Sequence, residues 1–326
     1  MSTSNQIKTS PTLLDAFALD EVDGYFVSRN LPRRSGNSAP IAYGGFAVSL
    51  AVYSAYQRAP HGYHLHSVSG YFLRAATTLE KLRCHVQELR RTNAFVTFRV
   101  AVDQLQGEQY RACMEILADF HKDEPSLLVY SSSPSRTYTN WRDLKTGWEI
   151  RDAWIEEGKM TTAQSSLYDT LFGLSKGLYE TRPCPEGIAF QNLNGMAKST
   201  LTSQDDLHPT AKSSSDWFHV HYPLHSEAEQ LASLSFIMDA ALSFLPLVHN
   251  HLFFEDVAAC ASLDFSMRIF SPRINVNDWH LREIISHRAG AGRSFSESRV
   301  WDEAGNLVVD MSQQSILRTK ADKTKL

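Results

Sequence analysis

Residues 231–248 read Leu-Ala-Ser-Leu-Ser-Phe-Ile-Met-Asp-Ala-Ala-Leu-Ser-Phe-Leu-Pro-Leu-Val, and Asp239 is their one ionisable side chain. A helix predicted over Glu227 to His249 contains this run and is apolar on most sides, so other structure must wrap it. Asp239, Pro246 and the serines argue against a membrane span. Strand-like stretches follow at Ser262 to Phe270, Trp279 to His287, Arg293 to Trp301 and Asn306 to Arg318. Turn signals separate the last of these at Ala289-Gly290-Ala291-Gly292 and Asp302-Glu303-Ala304-Gly305-Asn306.

The first part of the chain has the same order. A helix is expected from Tyr43-Gly44-Gly45 onward, with Phe46, Leu50 and Tyr53 at helical spacing and Pro60 and Gly62 closing it. Strand-like runs follow at Ser67 to Leu73, Leu79 to Leu89, Ala94 to Asp103 and Glu108 to Phe120. A repeated order of elements with little repeated sequence argues an internal duplication. An antiparallel sheet that curls needs its concave face filled, and an all-round apolar helix fills it. The expected fold is therefore α+β, a double hot-dog with each sheet wrapped around a central helix. The expected boundaries are an N-terminal hot-dog over 1–130, a linker or insertion over 131–180 and a C-terminal hot-dog over 181–326. Within the middle, Trp141 to Lys159 is expected to hold a short helix. Gly187 to Asn192 and Trp217 to His221 are read as strands, and Lys198 to Ser215 as an exposed loop.

Composition narrows the function. A formal net charge of -4 and no basic cluster with interleaved aromatics exclude a nucleic-acid partner from the reading. The 13 histidines, among them His61, His64, His66, His219 and His221, lack a metal-ligand pattern, so no metal is expected. Four scattered cysteines in a chain of 326 residues fit a reducing compartment rather than a disulfide framework. Met1 to Gln6 lacks the apolar core of a secretory signal. The final Thr324-Lys325-Leu326 resembles a Ser-Lys-Leu peroxisomal address; otherwise a cytoplasmic protein is expected.

Asp239 carries the chemical argument. A carboxylate sunk in an apolar helix must be hydrogen-bonded, neutralised or open to a wet pocket. Desolvation raises its pKa toward that of a base useful near neutral pH. The structural alternative is an Asp that faces solvent or caps a break around Ser243 to Pro246. Ser262, in the strand after the helix, and Gln313, in the last strand, are candidate partners: a hydroxyl and an amide that with Asp239 could orient one water.

At these residues the chain resembles the acyl-CoA thioesterase II family. The matching text is Tyr43-Gly44-Gly45, His66-Ser67 running into Tyr71-Phe72-Leu73-Arg74, Asp239 with Phe244-Leu245-Pro246, Ala261 to Met267, and Gln313. The similarity covers most of residues 40–120 and 185–318. It implies hydrolysis of acyl-CoA by two hot-dogs, with no cofactor and a catalytic Asp239, Ser262 and Gln313. It further implies substrate contacts at Gly44, Gly45 and His66. Ser262 stands where the family more often has Thr, and the spacing from Asp239 to Phe-Leu-Pro is longer than the family's. An enoyl-thioester hydratase would want an Asp and a His together, and His249 lies too far along the helix to serve. A repurposed double hot-dog that binds or processes an acyl or polyketide intermediate is the other reading. A homo-oligomer is expected, because hot-dog sheets associate through their edges.

Overall fold

The computed structural model describes residues 11–320 apart from Ser38 and Pro272. The C-terminal Thr324-Lys325-Leu326 lies outside the described residues. A short helix α1 (Leu13–Phe17) leads into the hairpin β1 (Leu19–Val22) and β2 (Tyr25–Ser28). Then come α2 (Gly44–Tyr56) and four strands, β3 (Tyr63–Phe72), β4 (Leu82–Arg91), β5 (Phe95–Gln106) and β6 (Gln109–Lys122). The middle segment holds α3 (Gly147–Glu156) and α4 (Thr162–Phe172). The second half begins with β7 (Glu180–Pro183), α5 (Ile188–Gln191) and β8 (Ser213–His219). It continues with α6 (Glu227–Met238), α7 (Leu245–Val248), β9 (Val257–Ile269), β10 (His280–Gly290), β11 (Arg293–Trp301) and β12 (Leu307–Thr319).

All twelve strands join one antiparallel sheet in the order β1-β2-β4-β5-β6-β3-β9-β12-β11-β10-β8-β7. Read from its centre the order is the same in both directions, as a duplication requires. The seam is β3 against β9, from Ser67 opposite Arg268 to Tyr71 opposite Asp264. The two expected sheets are thus continuous. Each alternates on schedule: Val96, Phe98, Val100 and Val102 of β5 all point into the core.

Helices α2 and α6 lie antiparallel in the concave space. The Tyr43 hydroxyl at the start of α2 donates to the Phe236 carbonyl near the end of α6, at 2.7 Å. At the other end Tyr56 donates to Glu227, also at 2.7 Å. Two buried serines in the helices donate to their own backbone, Ser54 to the Leu50 carbonyl and Ser235 to the Leu231 carbonyl, while the Ser233 hydroxyl has no partner among the described residues. Ser226 and Glu229 form the capping box that starts α6.

Three expectations need correction. The helix predicted over Glu227 to His249 stops at Met238; a turn follows, with Ala241 at a φ of 76°, and Pro246 sits in the first turn of α7. Proline lacks the N–H that a continuing helix needs, so it opens a new helix instead. Residues 187–192 are mostly helical, and the strand that pairs with β8 is β7. The loop expected over Lys198 to Ser215 is not wholly exposed, because its end belongs to β8 and Thr202, Gln204 and Lys212 are buried. Their polar groups are satisfied inside: Lys212 donates to the His249 carbonyl at 2.9 Å, and Gln204 to the carbonyls of Glu186 and Ser213. No helix among the described residues is long and apolar enough to cross a membrane.

Candidate active site

Asp239 is the C-cap residue of α6 and is 7% exposed. The Gln313 side-chain amide donates to its Oδ1 at 3.0 Å. The Gly45 backbone N–H, in the first turn of α2, is also hydrogen-bonded to it. First-turn amides have no partner inside their own helix, so this carboxylate occupies a natural anion site. Opposing them is burial, the largest influence, which pushes the Asp239 carboxyl up to about 7 against the pull of Gln313 and Gly45. The negative end of α6 also disfavours the anion. The group therefore changes charge in the range where water is a plausible proton donor to it.

Gly44 is required by close approach. A Cβ added there would lie 2.7 Å from Asp239 Oδ2 and 2.9 Å from the Phe72 ring. Gly44→Ala should push the carboxylate and Phe72 apart, at about 1–3 kcal/mol of overpacking. We expect kcat/KM of any reaction that uses Asp239 to fall ~10-fold or more, since small misplacements of reacting groups are costly. Steady-state kinetics with a urea melt would check this, and unchanged kinetics would refute the tight contact.

Ser262 reaches the site through an irregularity in β9. Gln313 faces Phe265 across the β9–β12 ladder, but Ser315 faces Ser262, so Leu263 is the extra residue of a bulge. Without the bulge Ser262, three residues before the inward-facing Phe265, would point to the outer face. With it, Ser262 and Asp239 line a common cavity of about 600 Å³. Gln313 stands behind Asp239 rather than on the cavity wall. Gly44 is on that wall, while Gly45 contributes through its N–H to Asp239.

His66 is placed elsewhere. It is the extra residue of the matching bulge in β3, between Leu65 opposite Phe120 and Ser67 opposite Asp119. Its ring packs edge-on against Phe95 and His121, and it does not line the cavity. His66 therefore does not join Asp239 and Ser262 at this cavity, because its ring lies against Phe95 and His121. The two bulges align the halves and show that the polar set belongs to one half alone. Where the second half has Ser262, Gln313 and Ser315, the register puts Leu65, Ala118 and Phe120 in the first half.

Other groups on the cavity wall were not singled out from the sequence. Arg282 in β10 and Asp216 in β8 face each other and form a two-pronged ion pair, with Nε and Nη2 at 2.8 and 2.7 Å from the carboxylate. Both line the cavity, as do Tyr43 and Tyr179. The alternation of His280, Arg282 and Ile284 on the inner face of β10 was the signal available for Arg282. The lining also includes Ala47, Phe72, Leu82 and Met114, with Arg74 past the end of β3 and Tyr168 and Phe172 of α4. Among the described residues no three His, Cys, Asp or Glu side chains converge as metal ligands.

Known proteins share this fold. A family model described as the acyl-CoA thioesterase N-terminal domain matches residues 31–121, and one described as its C-terminal domain matches residues 185–317. The fold is similar to that of an acyl-CoA thioesterase II, TesB2, from Mycobacterium marinum, with 19% identity and a TM-score of 0.67, covering 95% of this chain and 99% of that one. It is also similar to a tesB protein of Mycobacterium avium subspecies paratuberculosis, with 17% identity and a TM-score of 0.66, covering 94% and 98%. A conserved hot-dog protein of unknown function from Alicyclobacillus acidocaldarius aligns with a TM-score of 0.68 at 12% identity, covering 96% and 100%. No curated protein matches the chain in sequence. With both halves matched by models of one family, the chain belongs to the acyl-CoA thioesterase family of thioester hydrolases.

Proposed function

We propose that the protein hydrolyses an acyl-CoA at Asp239, using a water held between Asp239 and Ser262. The observation that carries this reading is a buried carboxylate whose pKa is about 7, bonded by Gln313 and Gly45 at the wall of a cavity it shares with Ser262. Asp239 takes a proton from the water as its oxygen bonds to the thioester carbonyl carbon. The carbonyl oxygen gains the negative charge, and the Gly44 amide at the α2 N-terminus is the donor we assign to it. The C–S bond then breaks, the thiolate takes the proton from Asp239, and acid and free CoA leave. Gln313 touches Asp239 and acts as a positioning residue.

An enoyl-thioester hydratase has less support. His249, the nearest histidine in sequence, is bonded through Nε2 to Ser214 at 3.0 Å, and burial pushes it down to about 3. It is therefore not paired with Asp239.

The test is release of free thiol from a panel of acyl-CoAs. Hydrolysis of at least one is expected, and no release from any would overturn the proposal. Gln313→Ala should cut kcat about 10- to 100-fold, as for loss of an orienting group. Because the Gln313 amide holds the Asp239 carboxyl down, its removal should also move the acid limb of the rate profile to higher pH. An unmoved limb would remove Gln313 from the site.

A further inference from the structure

The cavity has chemically different regions. One region of its lining, Ala47, Phe72, Leu82 and Met114 of the first half, is apolar, while Arg74 and Asn37 of the same half also reach the cavity. Another region carries the polar groups Arg282, Asp216, Thr181 and Tyr179. A pocket for a plain alkyl chain has no use for these polar groups. Replacing a buried ion pair by hydrophobic residues is often neutral or stabilising, so stability alone does not account for it.

The hydrogen bonds of Arg282 show what it has left to give. A guanidinium carries five N–H donors in a rigid fork. Nε and Nη2 each give one to Asp216, and Nη1 gives one to the Ile237 carbonyl at 3.0 Å. Two N–H groups, one on each terminal nitrogen, have no partner among the described residues. The Tyr179 hydroxyl likewise forms no hydrogen bond among the described residues, and it shares the cavity with Arg282. The pair also sits beside the reacting end. Tyr43 holds the Phe236 carbonyl and Arg282 the Ile237 carbonyl, successive groups in the last turn of α6, and Asp239 caps that turn.

Charge selects among ligands for these donors. Asp216 already neutralises Arg282, so a carboxylate at this fork would stand beside the Asp216 carboxylate, and the cavity's other guanidinium, Arg74, comes from just past the end of β3 rather than from β10. A neutral oxygen meets the free N–H groups without that cost. We propose that Arg282 and Tyr179 form an acyl subsite for a chain bearing a neutral oxygen, a ketone or a hydroxyl, whose hydrocarbon part lies on the apolar region. This rests on Asp239 being the reacting end, and it names the substrate class of that reaction.

The test uses CoA thioethers, which cannot be hydrolysed: a plain alkyl chain, the same chain with a ketone at successive carbons, and one with a terminal carboxylate. By calorimetry at least one ketone should bind ~10-fold tighter than the plain chain, as for a hydrogen bond to a charged donor. Tyr179→Phe should lower that preference, and the double replacement of Arg282→Met with Asp216→Leu should abolish it. The first variant removes a single hydroxyl and so keeps the test valid if the second does not fold. Equal or tighter binding of the plain chain, or a preference that survives Tyr179→Phe and a folded double variant, would overturn the assignment. So would tightest binding of the carboxylate. Thiol release from the matching thioesters is read separately: a ketone preference without hydrolysis would sink the hydrolase reading and leave the subsite standing.

Discussion

Asp239→Asn is expected to lower kcat/KM for acyl-CoA hydrolysis ~1,000-fold, within the range that a positioned general base contributes. The side chain keeps its size at a site packed against Gly44, so the loss should appear without unfolding. Wild-type activity should rise with pH up to the Asp239 pKa of about 7 and level above it, because the working form is the carboxylate. The variant should lack that limb. Activity within threefold of wild type across the pH range would end the assignment of Asp239 as base.

The same group has a stability signature of opposite direction. Its carboxyl is raised from 3.8 to about 7 on folding, so between those values the unfolded chain has lost a proton that the folded chain keeps. Stability of the wild type therefore falls as pH rises through this window, by up to ~4 kcal/mol for a shift of this size. Asparagine has no proton to lose. Relative to wild type, Asp239→Asn should gain stability from about pH 4 to pH 7 and then hold constant. Denaturant melts at several pH values measure this, and a pH-independent difference would show that Asp239 is not buried in solution.

Arg282→Ala is expected to destabilise the fold by ~3–5 kcal/mol, the typical cost of breaking a buried ion pair from one side. The Arg282 and Asp216 side chains are only 6% and 15% exposed, so solvent does little to screen the charge left behind. The Ile237 carbonyl loses a donor in the same change. A much smaller loss in a urea melt would mean that water reaches Asp216 freely. Removing both charges should cost far less than removing one, and that contrast separates an unpaired charge from lost packing.

The order of elements, the duplication and the singular place of Asp239 in an apolar run were legible in the sequence. Those are local matters: the spacing of apolar residues sets helix or strand, and a lone charge in an apolar run is visible wherever it folds. The Tyr43-Gly44-Gly45 text marked the start of α2, and Gly44 proves to be the position where a side chain would strike Asp239. Tertiary structure decided the rest. The end of the helix at Met238 depends on a left-handed Ala241 and on Pro246 opening a new helix, and apolar periodicity continues across that break. Ser262 faces inward because Leu263 bulges against β12, and register is a property of two strands, not one. Arg282 gained its meaning when β8 brought Asp216 opposite it, from a position between the expected loop over Lys198 to Ser215 and the expected strand over Trp217 to His221. Which buried charge meets which partner is a long-range fact, and a pattern along one segment cannot contain it.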